Sequence, residues 1–103
     1  MSEDFGEWTV ELSAKAKKQQ EKLPFRIKQS LKALIADLRL CGPKAVGWTN
    51  YGSLSRKGEY YHCHLNKQHP RYVAVWRVET NKIKFIGVRY VGTHEGVNYK
   101  KID

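Results

Sequence analysis

The period of apolar and polar residues changes twice along the chain. Trp8-Thr9-Val10-Glu11-Leu12 alternates, as a strand with one buried face does. Ser13 follows, and its hydroxyl suits the cap of a helix running from Ala14 to about Lys22. That helix is polar almost all round; only Ala14, Ala16 and Leu23 offer apolar contact. Pro24 opens a second helix, where its missing N–H costs nothing. Ile27, Leu31, Leu34, Ile35 and Leu38 recur at the helical period and form one stripe, which Gly42-Pro43 ends. Beyond it the period returns to two. Tyr60 to Leu65 alternates, and Arg71 to Glu79 is β-branched and aromatic. Thr80-Asn81-Lys82 reads as a tight turn, with Ile83 to Val91 as the hairpin partner. The order β-α-α-β-β-β predicts an α+β fold. A helical hairpin packs on one face of a mainly antiparallel sheet, with Trp8, Trp48 and Trp76 in or at the edge of the core.

Length and composition narrow the picture. With 103 residues and 41% hydrophobic content, the chain can build one modest core and not two. No apolar run approaches the roughly 20 residues of a membrane span, so no membrane partner is expected. Met1-Ser2-Glu3-Asp4 lacks the basic start and apolar stretch of a secretory leader. Cys41 and Cys63 make no disulfide framework, although a bridge between them stays open. The expectation is a reduced, cytoplasmic protein.

Charge changes the picture more. Nineteen Lys and Arg against 10 Asp and Glu leave +9, more than the net charge of about 2–8 that keeps a small domain soluble. The balance points to a polyanionic partner: nucleic acid, ribosome or an acidic protein. Between Ala14 and Lys44 stand nine basic residues and two acidic ones, Glu21 and Asp37. Lys15, Lys17, Lys18, Lys22 and Arg26 from this stretch, with Arg89, are the candidate RNA-binding residues.

In a strand over 60–65, Tyr61, Cys63 and Leu65 share one face and belong against the helices. Tyr60, His62 and His64 share the other. A second polar cluster, Thr93-His94-Glu95 with Asn98 and Tyr99, lies past the last strand between Gly92 and Gly96. In a meander, His64, Arg71 and His94 converge at one rim. Such a set suits metal-free RNA cleavage, in which a 2′-hydroxyl attacks the adjacent phosphate. One imidazole takes the attacking proton and another protonates the leaving oxygen. Arg71 or Arg89 would hold the phosphate, and Tyr99 or Tyr60 would stack on a base. His-x-His is also a metal-ligand spacing, but alternation turns Cys63 to the opposite face and no Cys-x-x-Cys exists. No metal or other cofactor is expected.

The order of elements and several segments resemble the RelE/ParE superfamily of bacterial toxins from toxin–antitoxin systems. The matching segments are Leu38-Arg39-Leu40-Cys41-Gly42-Pro43, Trp48-Thr49-Asn50-Tyr51-Gly52, Tyr61-His62-Cys63-His64-Leu65, Arg71-Tyr72-Val73-Ala74-Val75-Trp76 and Tyr90-Val91-Gly92-Thr93-His94-Glu95, with Tyr99 beyond. The resemblance covers nearly the whole chain and implies one RelE-like toxin domain over residues 1–103. It further implies a metal-independent, ribosome-dependent mRNA endonuclease that inhibits translation by cutting in the A site lined by rRNA. A cognate antitoxin would neutralise it, and operator DNA would be bound only through that complex. The chain is similar to the histidine-using members: His64 matches the mid-sheet histidine, His94 the terminal one, and Tyr99 the aromatic position. These imply His64 and His94 in proton transfer, His62 in support, Arg71 on phosphate and Tyr99 on a base. Where an acidic residue is expected after the mid-sheet histidine, Asn66, Lys67 and Gln68 stand, leaving Glu95 or Glu59 as substitutes.

The same superfamily implies an alternative, a ParE-like DNA gyrase inhibitor that acts by binding alone. A third reading is a regulatory partner active only with its antitoxin. On period two, Ile86, Val88 and Tyr90 face one way and Phe85 and Val91 the other. That leaves a second apolar face for an antitoxin segment or the chain's own loops to cover.

Overall fold

The computed structural model describes residues 7–54, 59–99 and 102. Strand β1 (Thr9–Leu12) leads into helix α1 (Ala14–Glu21), helix α2 (Phe25–Cys41) and four further strands. These are β2 (Gly52–Ser53), β3 (Tyr60–His64), β4 (Tyr72–Val78) and β5 (Phe85–Thr93). They form one sheet in the order β1-β5-β4-β3-β2. The expected α+β architecture is present, with two differences. The sheet is mixed, because β1 lies parallel to β5. It also gains β2, whose two residues are too short to leave a period in the sequence and pair with His62 and Tyr61.

Helix α1 begins as its sequence directs. The Ser13 hydroxyl accepts from the Ala16 N–H at 3.1 Å, satisfying one of the open donors of the first turn. Pro24 stands just before α2 in extended backbone rather than as its first helical residue. Its carbonyl accepts from Lys28 at 2.9 Å. Gly42 ends the helix at φ 88°, a conformation that suits glycine. A β-carbon there would also meet the Trp8 indole at 3.0 Å.

The stripe of α2 buries Ile27, Leu31, Leu34 and Leu38, while Ile35 is only half-buried. They pack with Val10, Ala16, Leu23, Cys63, Leu65, Ala74, Trp76, Ile86, Val88 and Val91. Trp76 is fully enclosed and its indole N–H donates to the Pro43 carbonyl at 3.0 Å. Trp8 and Trp48 sit at the core edge, as expected.

β5 departs from the strict alternation read from its sequence. Val75 pairs with Tyr90, but the next residue, Trp76, pairs with Val88. Arg89 is therefore an extra residue, a β-bulge. It shifts the phase by one, so Ile86, Val88 and Val91 all enter the helix-side core and Tyr90 crosses to the other face. β1 ends opposite Val88, which leaves the Val91 N–H beyond its reach. Gln19 of α1 supplies the acceptor, at 3.1 Å from that nitrogen. The polar face of α1 thus has a structural task.

Part of the second face of the hairpin is covered by the chain itself. Val75, Tyr60 and Ile102 are buried together, with Leu54, Tyr90, Val97 and Tyr99 packed around them. The expected tight turn is a longer loop, because β5 begins only at Phe85; Lys84 precedes it at φ 49°. Among the described residues no helix is long and apolar enough to cross a membrane.

Cys41 is exposed and Cys63 buried, and both are free thiols. Burial pushes the Cys63 thiol up to about 12. A maleimide is therefore expected to label one thiol in the folded protein and two after denaturation, read by intact-protein mass. Gln19→Leu removes the acceptor of a buried N–H, which typically costs about 1–3 kcal/mol. Urea unfolding should show that loss with an unchanged slope.

Candidate active site

The face of the sheet turned away from the helices carries the histidines. Cys63 and Leu65 are in the helix-side core and Tyr61 packs against it, so alternation sends His62 and His64 to the opposite side. Sheet register then aligns the cluster. His64 lies opposite Val73, and Val73 opposite Gly92. One step further along, Tyr72 pairs with Thr93, and the His94 N–H donates to the Arg71 carbonyl at 2.8 Å. The ends of β3, β4 and β5 therefore meet at one rim. There the His64 and His94 rings lie 5.4 Å apart, edge to face. Arg71, exposed at the same rim, is close enough to act on the His64 charge.

The loop that joins His64 to Arg71 is fixed by Asn66. Its Oδ1 accepts from the Tyr72 N–H at 2.8 Å, and its Nδ2 donates to the Gln68 and Pro70 carbonyls at 3.2 Å each. On the other flank, the His64 N–H donates to the Thr49 carbonyl at 2.8 Å. Neither Asn66 nor Thr49 advertises this role in the sequence; an Asn just before a loop with proline is the only signal.

His62 sits deeper. Its ring lies 5.9 Å from that of Tyr99, which the C-terminal segment lays over it. Its Nε2 is 3.3 Å from where a β-carbon on Gly52 would stand, so only a residue without a side chain leaves this ring its full space. Its Nδ1 is buried and finds no partner among the described residues.

Burial, then the nearby His64 and His94, lowers the His62 pKa below the ordinary imidazole range. Burial, then His94 and Arg71, does the same to His64. Both are therefore neutral at pH 7 and able to accept a proton. Burial raises the Tyr99 hydroxyl, which stays protonated.

The structure thus unites His62, His64, His94, Arg71 and Tyr99. It does not bring the helical cations to them. Lys15, Lys17, Lys18, Lys22 and Arg26 are exposed on or beside helices that cover the opposite face. Lys15 alone lines a cleft of about 450 Å³ that also includes Tyr90, Gly96 and Asn98. Arg89, expected to touch RNA, spends its guanidinium on Glu79 at 2.6 Å and is half-buried. Of the acidic substitutes, Glu95 directly follows His94, whereas Glu59 stands before β3, at its far end from His64. Among the described residues no group of three or more His, Cys, Asp and Glu is arranged to hold a metal ion.

No protein-family model matches the chain, and no curated protein sequence matches it significantly. Solved structures do match in shape. A variant of the E. coli toxin RelE in the free state superposes with a TM-score of 0.73 at 18% identity, over 93% of this chain and 94% of that one. RelE in the archaeal RelE–RelB complex from Pyrococcus horikoshii gives 0.67 at 14% identity, over 87% and 98%. Isolated E. coli RelE gives 0.62 at 19%, over 90% of each chain. At such identities the likeness defines the fold. It is the fold of the RelE toxins, as the sequence resemblance led us to expect.

NMR titration of the histidine ring protons should place the His62 and His64 midpoints below the ordinary value of about 6.5. The unfolded chain then takes up these protons first. Fold stability should therefore be complete above about pH 6.5 and decline as pH falls through the folded midpoints.

Proposed function

We propose that this protein is the toxin of a toxin–antitoxin pair and cleaves mRNA on the ribosome without a metal. The observation that carries this reading is the His64–His94 pair, 5.4 Å apart beside Arg71 on an accessible rim of a RelE-like fold. Hydrogen bonds of about 2.6–3.2 Å from two imidazoles so spaced can reach both the attacking and the leaving oxygen of one phosphodiester. His64, held neutral by burial and its cationic neighbours, takes the 2′-hydroxyl proton. The 2′-oxygen bonds to phosphorus, the bond to the 5′-oxygen breaks, and His94 as imidazolium protonates that oxygen. The products are a 2′,3′-cyclic phosphate and a 5′-hydroxyl, so no outside reactant is needed. Arg71 offsets the charge that builds on the phosphoryl oxygens. Tyr99 positions a base, and His62 supports from beneath it.

The cations of α1 and of the start of α2 would dock on rRNA in the A site while the opposite face meets mRNA. Such contacts are sequence-independent and weaken with salt. The similarity to a RelE crystallised with RelB supports an antitoxin as the neutralising partner. Operator DNA would then be met through that complex, in the cytoplasm.

Controlled expression of wild type and His94→Ala in bacteria, with mapping of mRNA 5′ ends, tests the reading. In-frame cuts in translated regions are expected with wild type, and a drop of at least about a hundredfold in the variant. Growth arrest without new mRNA ends would overturn the reading and turn attention to binding targets such as gyrase.

A further inference from the structure

The bulge at Arg89 delivers Tyr90 to the histidine side, where its side chain runs along β5 toward the turn that carries His94. The Tyr90 hydroxyl donates to the Thr93 carbonyl at 2.9 Å. That same carbonyl accepts from the Gly96 N–H at 3.1 Å, and the Thr93 hydroxyl accepts from it as well, also at 3.1 Å. The turn 93–96 is therefore tied at its first residue to a buried-edge tyrosine.

Two glycines make room for this contact. A β-carbon on Gly92 would stand 2.7 Å from the Tyr90 hydroxyl oxygen and 3.0 Å from the ring carbon bearing it. One on Gly96 would stand 3.1 Å from that oxygen and 2.9 Å from the Thr93 hydroxyl. Neither glycine has positive φ. Close approach of the phenol, rather than backbone conformation, is what requires them. The ring itself is anchored in the apolar cluster with Val75, Tyr60 and Ile102, which also holds Tyr99.

We propose that Tyr90 is a positioning residue for His94: its hydroxyl, seated between Gly92 and Gly96, fixes the turn that sets the His94 ring against His64. The residue touches neither substrate nor the reacting atoms in the mechanism above. It acts through the Thr93 carbonyl. A ring displaced by about 1 Å from productive geometry can lose about a hundredfold in rate, so a single hydrogen bond has leverage here. The inference rests on the cleavage reading for its effect on rate, but its geometric content stands apart from that reading.

Tyr90→Phe removes the hydroxyl and keeps the ring. With ribosomes programmed by a defined mRNA, kcat should fall about tenfold to a hundredfold with KM nearly unchanged, and the melting temperature should stay close to wild type. NMR titration supplies the independent readout. The titratable and charged groups that face His64 are His94, Arg71 and His62. When His94 is no longer held, the His64 midpoint should rise toward the ordinary value of about 6.5. Gly96→Ala, which crowds the same hydroxyl, should move the midpoint in the same direction and serves if Tyr90→Phe folds poorly. An unchanged His64 midpoint in both variants would overturn the proposal. If wild type cuts no mRNA on ribosomes, the cleavage reading fails, and the midpoint alone still decides the role of Tyr90.

Discussion

A single extra residue in β5 organises this molecule. The bulge at Arg89 lets Val88 and Val91, three positions apart, both enter the core beneath the helices. The same step puts Tyr90 and Gly92 on the histidine side, next to Val75 and Val73. Without it, strict alternation would send Tyr90 into the helix-side core and Val91 out of it. The bulge also adds twist and interrupts the ladder, and α1 compensates for the interruption through the Gln19 side chain. An outwardly polar helix is thus bound into the fold by one amide as well as by the buried Ala16.

The two faces of the sheet have separate tasks. The helix side is buried and closely packed, and burial raises the pKa of its thiol, Cys63, away from thiolate formation. The other side is covered only in part, by the chain's own segment through Val97, Tyr99 and Ile102. That cover stops short of the rim where His64, His94 and Arg71 meet. The result is a graded environment. His62 lies beneath Tyr99 and is desolvated, His64 is intermediate, and His94 is exposed on its turn. Burial and the neighbouring charges lower the His62 and His64 pKa values below the ordinary imidazole range. Of the helical cations, Lys17, Lys18, Lys22 and Arg26 are exposed on or beside the helices, while Lys15 borders the cleft that Tyr90, Gly96 and Asn98 line.

The elements with long, regular patterns are legible from the residues alone. The stripe from Ile27 to Leu38 requires a helix with one buried side, and Tyr61, Cys63 and Leu65 can reach the core only by turning His62 and His64 away from it. The convergence of His64, Arg71 and His94 follows from a meander of three strands, so most of the candidate site was legible. Other features belong to the tertiary structure. β2 is too short to show a period. The parallel pairing of β1 depends on the path of two helices. The bulge is an interruption of a period, and because apolar residues stand on both sides of Arg89 in either phase, it leaves no mark until a partner strand fixes the register. Tyr90 therefore reads as one more residue of an apolar face. Its place beside the His94 turn is decided only when Val75, Trp76 and the helices settle which side chains fit beneath them. Local periodicity encodes which face a residue prefers, but contacts between distant segments decide where that periodicity breaks.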